Sequence, residues 1–187
     1  MTDFTINNGV LTKYEGDEKN ILIPKSVTEI GESAFYSCHS VEKVDFEGEI
    51  KRIGDAAFSD CVNLSDFKIP GSVSYLGAYA FYDCVSLSFV GIPEGIKTIG
   101  RETFSGCLKL RSVIIPKSVK TVEITAFAFC PALSEVFYLG NENDWSKIEF
   151  QAFNENLIDT PRYYYSKERP RENGNFWHYE NGSPALW

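Results

Sequence analysis

One spacing dominates this chain: its five cysteines, at positions 38, 61, 84, 107 and 130, are each 23 residues apart. Phenylalanine keeps the same period three residues earlier, at positions 35, 58, 81, 104 and 127. Glycine recurs at positions 31, 54, 77 and 100. A period of roughly 20 to 50 residues is typical of solenoids and propellers, in which each unit buries its apolar face against its neighbours. The spacing therefore predicts stacked coils in which equivalent side chains form columns.

The pattern inside one unit, residues 64–86, indicates the shape of a coil. Apolar residues beginning at Leu64 alternate as in a short strand, which Pro70 ends because proline has no backbone N–H to donate. Residues 73–76 form a second short extended piece. Gly77 then permits a sharp or left-handed turn of the backbone. We expect the phenylalanine and the cysteine of each unit to point inward from a tight helical or 3₁₀ turn that follows.

The repeated pattern LxxVxIPxSVxxIGxxAFxxC resembles the BspA-like (Treponema-type) leucine-rich repeats, and it continues from about Ile21 to Tyr138. The resemblance implies a mainly β or α/β fold, namely a right-handed solenoid of short parallel strands with 23-residue coils, capped at both ends. It divides the chain into an N-terminal capping segment (1–20), a solenoid of about five coils (21–138) and an aromatic-rich C-terminal cap (139–187). It implies no catalysis and no cofactor, and it suggests a bacterial surface or secreted protein that adheres to other macromolecules.

Charge and hydropathy restrict the partners. The formal net charge is -8, so most of the surface should repel the phosphate backbone of nucleic acids and anionic membranes. No stretch approaches the ~18 consecutive apolar residues of a membrane span, and the first residues lack the layout of a secretory signal. The sequence therefore predicts no nucleic-acid partner and no transmembrane segment, and leaves a cytoplasmic location open beside the surface location that the resemblance suggests.

Cys38 and His39 are neighbours, which raises the alternative of a thiol hydrolase that uses Cys38 with His39 or His178. Such an enzyme needs a base within hydrogen-bond reach and a third group that orients the base, and sequence neighbours rarely have that geometry. Zinc prefers converging thiolates rather than one per coil along a line. The sequence thus favours a column of buried, reduced thiols with neither a catalytic nor a metal-binding role.

Function is then expected on exposed strand positions, because side chains alternate across a strand. The C-terminal half of the predicted sheet surface carries Phe89, Ile114 and Phe137, with Arg111 beside them. An exposed apolar group of this kind indicates contact, with aromatic and arginine side chains as anchors. The contact is either with a partner or with the tail of the same chain, and the sequence does not separate these two alternatives.

The tail holds all three tryptophans, Trp145, Trp177 and Trp187. The segment after Pro161 is predicted to be a strand, the last segment a hairpin that turns at Asn181-Gly182, and Asp144 the N-cap of a short helix. The aromatic residues of the tail either cover the open end of the last coil or form a ligand site. For the second alternative the candidate residues are Trp177, Tyr179 and Trp187.

These observations favour a non-enzymatic interaction or adhesion module that displays a solenoid surface to a protein or glycan partner. The alternative is a structural spacer, or a wall-binding or glycan-binding unit that uses the aromatic tail.

Overall fold

The computed structural model describes residues 3–171 and 174–187. Short parallel strands stack into a mainly β solenoid of about seven turns with a spacing of about 23 residues, which confirms the predicted architecture. In chain order the elements are β1 (Phe4–Asn7), β2 (Val10–Tyr14), β3 (Asn20–Ile23), β4 (Glu29–Ile30), β5 (Lys43–Phe46), β6 (Arg52–Ile53), β7 (Asp66–Phe67), β8 (Tyr75–Leu76), β9 (Phe89–Gly91), β10 (Thr98–Ile99), β11 (Ser112–Ile115), β12 (Thr121–Val122), β13 (Glu135–Tyr138), α1 (Glu142–Trp145), β14 (Glu149–Phe150), α2 (Glu155–Ile158), β15 (Arg162–Tyr165), β16 (Phe176–Glu180) and β17 (Ser183–Leu186).

Each coil contributes one strand to each of two faces. The first face consists of the sheet β3-β5-β7 followed by the sheet β9-β11-β13-β15-β16-β17, and the second consists of β1-β2-β4-β6-β8 followed by β10-β12-β14. The strands of the coils pair in parallel, whereas β1 with β2 and β16 with β17 are antiparallel hairpins. On the first face the parallel stack continues past the cysteine-containing units, to β3 towards the N-terminus and to β16 towards the C-terminus. About seven turns therefore form where the cysteines alone indicated five coils.

The predicted columns form the core. The rings of consecutive units, from Phe35 to Phe127, stack with their centroids 4.9–5.5 Å apart, and Tyr14 extends the column at 5.1 Å from Phe35. Each thiol from Cys61 to Cys130 donates to the backbone carbonyl of the phenylalanine one coil earlier, with Sγ to O distances of 3.0–3.3 Å. Identical side chains stack because the coil length is constant.

A third side of the solenoid, here called the turn ribbon, links each second strand to the next coil; residues 77–84 are one unit of it. Backbone N–H groups along the ribbon alternate between two kinds of hydrogen bond. One kind closes a turn within the coil, as from Tyr82 N to Tyr79 O at 3.0 Å, and the other joins the next coil, as from Phe81 N to Thr103 O at 2.9 Å. Of the two alternatives predicted at Gly77, a sharp or a left-handed turn, the left-handed one is wrong, because the left-handed residues are Tyr79 (φ 58°) and Asp83 (φ 54°). Glycine is needed for close approach instead: a Cβ added at Gly54 would lie 2.8 Å from Glu32 N.

The two strand ladders are both interrupted at one junction, between β7 and β9 and between β8 and β10. Only there is the alanine of the inward turn replaced, by the buried Thr103, whose Oγ1 donates to Gly77 O (3.3 Å) and Gly100 O (2.8 Å). The nearest atom to a Cβ added at Gly100 lies 3.3 Å away, against 2.8 Å at Gly54, so the coils stand further apart. The larger side chain of Thr103 accounts for this separation, while the turn ribbon stays bonded across the junction.

The tail has the predicted strand and hairpin. The strand after Pro161 is β15, and β16 turns into β17 through Asn181 (φ 51°) and Gly182 (φ 82°), the conformation that an Asn-Gly hairpin turn requires. The N-cap predicted at Asp144 is wrong. Asn141 caps α1, and Asp144 is the third residue of a reciprocal capping box whose Asn141 Oδ1 accepts from Asp144 N at 2.9 Å.

Across residues 3–171 and 174–187, the helices are too short to traverse a lipid bilayer.

Candidate functional site

The outward side of the C-terminal sheet carries a continuous apolar row. Strand register places Gly91 beside Ile114, Ile114 beside Phe137 and Phe137 beside Tyr163. The rings of Phe137 and Tyr163 stack at 5.6 Å. Three coils and the tail therefore contribute to one row, as expected when side chains of equivalent positions face the same way.

The tail covers the middle of this row. Trp177 of β16 is fully buried, with its ring centroid 5.3 Å from that of Phe137, and its Nε1 donates to Tyr138 O at 3.1 Å. Ile114 and Phe137 are buried in the same cluster. The expectation that these two residues face solvent is thus wrong, because the chain's own β16 packs over them.

Exposed apolar residues adjoin the buried cluster, with Tyr165 and Tyr179 next to Trp177 and with Phe89 on β9, two strands from β13. Phe89 is 40% exposed and Tyr179 is 45% exposed, and Tyr165 and Leu186 are also exposed. We call these four residues, with the half-buried Tyr163, the aromatic face. The ring of Tyr179 lies 4.9 Å from that of Trp177 and 6.1 Å from that of Tyr165. Burial, more than the charges of Tyr165 and Glu94, raises the pKa of Tyr179, so its hydroxyl stays protonated and able to donate a hydrogen bond at neutral pH.

The binding residues predicted from the sequence do not all lie on one surface. Phe89 and Arg111 are exposed, and Tyr179 belongs to the aromatic face. Trp187 stacks on His178 at 3.8 Å, and its Nε1 donates to Ser166 O at 3.0 Å. Register pairs Trp177 with Leu186 and His178 with Ala185. Trp187, the residue after Leu186, therefore lies on the side of the hairpin that carries His178, opposite Trp177.

Sequence reasoning missed Tyr163 and Tyr165 as surface residues. The run of three tyrosines after Pro161 contained the signal, because alternation along a strand places its first and third members on one side. Tyr164, between them, packs against the main core.

The N-terminal part of the same side is charged. Lys43 Nζ lies 3.2 Å from Oδ2 of Asp45, on the same strand, and 3.5 Å from Oδ2 of Asp66, on the adjacent strand β7. Exposed pairs of this kind contribute little to stability, because water and salt screen them. The aromatic face is therefore confined to the C-terminal half of the solenoid.

Cys38 and His39 contact different groups. His39 Nε2 lies 2.9 Å from Asp60 Oδ2, which also accepts from Ser37 Oγ at 2.8 Å. The hydrogen bond from His39 is the main cause that lowers the pKa of Asp60. The hydrogen bond of the Cys38 thiol is a long one, 3.9 Å, to Tyr36 O. Asp60 holds the His39 ring, but the Cys38 thiol bonds to Tyr36 O rather than to His39, so the pair lacks the nucleophile-to-base contact of a cysteine hydrolase. Among residues 3–171 and 174–187, no three His, Cys, Asp or Glu side chains are grouped so as to hold a metal ion.

A family model described as the BspA type leucine rich repeat region matches residues 5–134 in six copies. The chain belongs to this family. The match covers well over half of the sequence and confirms the resemblance on which the solenoid was predicted. No curated protein matches the chain.

Solved structures with the same fold come from bacterial BspA-type and other leucine-rich repeat proteins. The leucine-rich repeat protein of T. pallidum is 32% identical with a TM-score of 0.65, over 68% of this chain and 62% of that one. A leucine-rich cell surface protein of Faecalibacterium prausnitzii is 32% identical with a TM-score of 0.71, over 75% and 38%. A leucine-rich repeat protein of Eubacterium ventriosum is 25% identical with a TM-score of 0.64, over 70% and 36%. The chain spans less than two thirds of the length of each of these proteins.

The thiol column of this BspA-type chain gives a testable difference in reactivity. Burial raises the pKa of Cys130 to about 12 and the pKa values of Cys84 and Cys107 well above the ordinary value, while Cys38 is only half-buried. We expect native protein at pH 8 to take up a single iodoacetamide adduct, at Cys38, and the other four thiols to react only in denaturant. Intact-mass spectrometry and peptide mapping measure this.

Because burial also raises the pKa of Cys38, its labelling rate should rise about tenfold per pH unit up to pH 9. Rapid labelling below pH 7 would instead show an activated thiolate. Labelling of the native inner column at the rate of Cys38 would contradict the buried thiol column.

Proposed function

We propose that this chain is a protein-interaction module that binds a protein partner at the bacterial cell surface through its aromatic face. The family supports the general class, since its members are mostly non-enzymatic repeat proteins, and the F. prausnitzii protein is described as a cell surface protein. The observation that carries the proposal is the row of exposed aromatic side chains, in which Tyr165 and Tyr179 contact the ring of the buried Trp177 and Phe89 lies at the Gly91–Ile114 end.

This arrangement suits protein recognition. The supporting cluster of Ile114, Phe137 and Trp177 is buried, so the rings above it are held before any partner arrives and lose little conformational freedom on binding. Aromatic and arginine side chains supply most of the energy at protein interfaces. Arg111 is exposed and directly precedes β11, the strand that contains Ser112 and Ile114. Gly91 leaves a shallow dip, because a Cβ there would contact Phe89 and Ile114 at 3.9–4.0 Å. We infer that a partner side chain contacts the chain at this dip.

The same geometry favours a protein over a glycan. Of the three aromatic residues considered for a sugar or choline site, Trp177 is buried and donates its N–H to Tyr138 O, and Trp187 stacks on His178. A cage needs several ring faces open to one ligand. Tyr179 is the one of the three whose ring belongs to the aromatic face.

We also propose that the two terminal hairpins cap the solenoid. The β1–β2 hairpin pairs with β4 and the β16–β17 hairpin pairs with β15, so each occupies the backbone edge at one end of a strand ladder. An uncovered edge would pair with other chains. In this proposal residues 139–187 both close the array and complete the aromatic face.

The experiment compares wild-type protein with the double variant Phe89→Ala/Tyr179→Ala on arrays of bacterial and host surface proteins and of glycans. The control is Leu22→Ala, because Leu22 is an exposed apolar residue of β3 on the same side at the other end. Loss of two interface anchors should weaken capture of a protein partner by at least roughly tenfold. The control should bind as wild type does, and both variants should melt close to the wild-type temperature.

Equal capture by wild type and double variant would contradict the proposal. Binding to glycans alone would replace the protein partner by a sugar, and the absence of any ligand together with assembly into long particles would favour a spacer.

A further inference from the structure

A second apolar surface lies on the turn ribbon of the last coils, away from the sheet that carries the aromatic face. A cavity of ≈ 650 Å³ is lined there by Leu108, Phe129, Pro131 and Phe153, among others. Phe129 is 73% exposed and Phe153 is 60% exposed, and Leu108 is exposed beside them. Solvent-exposed aromatic groups of this size, gathered around a cavity, indicate a contact surface.

The two phenylalanines are held in an unfavourable backbone conformation. Phe129 has φ 54° and Phe153 has φ 63°, in the left-handed region that bulky residues rarely adopt. In the four preceding units the position of Phe129 is occupied by small or turn-forming residues, Ser37, Asp60, Asp83 and Gly106. Folding therefore requires a left-handed residue here but does not require a phenylalanine. The exposed ring adds a cost to the fold without a buried contact in return.

Phe153 is fixed by its neighbour Asn154, which is fully buried. Asn154 Oδ1 accepts from Phe127 N at 3.1 Å, where earlier coils use a backbone carbonyl, and its Nδ2 donates to Glu123 O at 2.8 Å and Gln151 O at 2.9 Å. The side-chain amide thus ties Phe153 to the coil before it. The ring is presented in a fixed place rather than on a loose loop.

An acidic cavity adjoins the apolar one. It has a volume of ≈ 350 Å³ and shares Glu155 and Asn156 with the first, and Asp159 also lines it. No Lys or Arg lines either cavity, and within the described residues neither Glu155 nor Asp159 forms an ion pair. Two unpaired carboxylates beside an apolar cleft are complementary to a cation next to an apolar side chain.

We propose that this groove binds an extended segment of a partner protein that carries an aromatic or large aliphatic side chain and a Lys or Arg two residues away. Residues i and i+2 of an extended segment point to the same side and lie about 7 Å apart, so one enters the apolar cavity and the other meets Glu155 and Asp159. The groove is separate from the aromatic face and does not depend on the function proposed for it.

The test uses three blocked pentapeptides, Gly-Phe-Ser-Lys-Gly, Gly-Phe-Ser-Glu-Gly and Gly-Ser-Ser-Lys-Gly, titrated into the ¹⁵N-labelled full chain. We expect the first peptide to bind weakly, in the millimolar range, and to shift amide signals of residues 125–131 and 153–159. The second peptide should bind about tenfold more weakly because its charge repels the groove, and the third should bind more weakly because it lacks the ring.

Two variants locate the site. Phe129→Ser, which places at this position the residue type of Ser37, and Glu155→Gln/Asp159→Asn should each weaken the first peptide by about fivefold or more. Phe89→Ser on the aromatic face and Glu149→Gln on β14 should leave its affinity unchanged.

Equal affinity for the Lys and Glu peptides would overturn the proposal. Undiminished binding by Phe129→Ser, or no binding at 10 mM peptide, roughly the weak limit of such contacts, would overturn it as well. A wild-type dimer that Phe129→Ser dissociates would assign the groove to a second copy of the chain.

Discussion

Replacing Phe81 by alanine should lower the free energy of unfolding by about 3 to 5 kcal/mol. Phe81 is fully buried, and its ring lies 5.4 Å from that of Phe58, 5.5 Å from that of Phe104 and 4.9 Å from that of Phe67. Its removal leaves a cavity in the middle of the column, where the surrounding coils cannot collapse without breaking their register. For a chain of this size the melting temperature should fall by roughly 6 to 20 °C.

The matched control is Phe129→Ala, which removes the same side chain from a position where it is 73% exposed. We expect its stability to change by no more than about 0.5 kcal/mol. Urea unfolding followed by circular dichroism measures both variants. Equal losses at the two positions would mean that the ring column does not carry the stability of the solenoid.

Replacing Trp177 by alanine should detach the hairpin of β16 and β17, at a local cost of about 3 to 5 kcal/mol. Its ring is fully buried against Phe137, and the hydrogen bond from its Nε1 to Tyr138 O is lost with it. Ile114 and Phe137 then become exposed to water. Amide hydrogen exchange should speed up in residues 176–186 while the column around Phe81 stays protected, because distant parts of a fold open separately.

Trp187→Ala is the control for this variant, since Trp187 is exposed and lies at the end of β17. Its effect on exchange should be limited to the hairpin end. Wild-type protection of β16 in Trp177→Ala would show that the tail is held by other contacts, and the account given for the burial of Ile114 and Phe137 would be wrong.

The sequence was sufficient for the coils because a fixed period places equivalent residues in columns, and apolar columns face inward. It was insufficient to predict which residues of a coil adopt the left-handed backbone conformation. Gly77 was predicted to permit a sharp or left-handed turn. Its lack of a Cβ instead allows close approach to the preceding coil, and Tyr79 and Asp83 adopt the left-handed conformation. Glycine suits both a left-handed conformation and a close approach, so a glycine in the sequence does not by itself distinguish the two.

The surface was predicted in part for a different reason. The exposure of Phe89 and Arg111 was predictable because it depends on their local position in the coil. Ile114 and Phe137 are instead buried by Trp177, which lies 40 residues after Phe137 in the chain. No local sequence pattern predicts that β16 pairs in parallel with β15. The groove on the turn ribbon did leave a signal, namely Phe129 in a column of Ser, Asp and Gly, and only the structure shows that this column is left-handed.

The junction with Thr103 bears on how the molecule responds to load. Every other boundary between the coils numbered by β3 to β13 is joined by strand pairing on at least one face as well as by the ribbon. This one has no strand pairing and keeps the ribbon together with the hydrogen bond from Lys109 N to Val85 O at 3.2 Å. Tension applied along the array therefore concentrates where the fewest bonds act in parallel, between Leu76 and Thr98. The charged N-terminal half and the aromatic C-terminal half are thus joined without strand pairing at this boundary, and we expect it to be the first to separate under load.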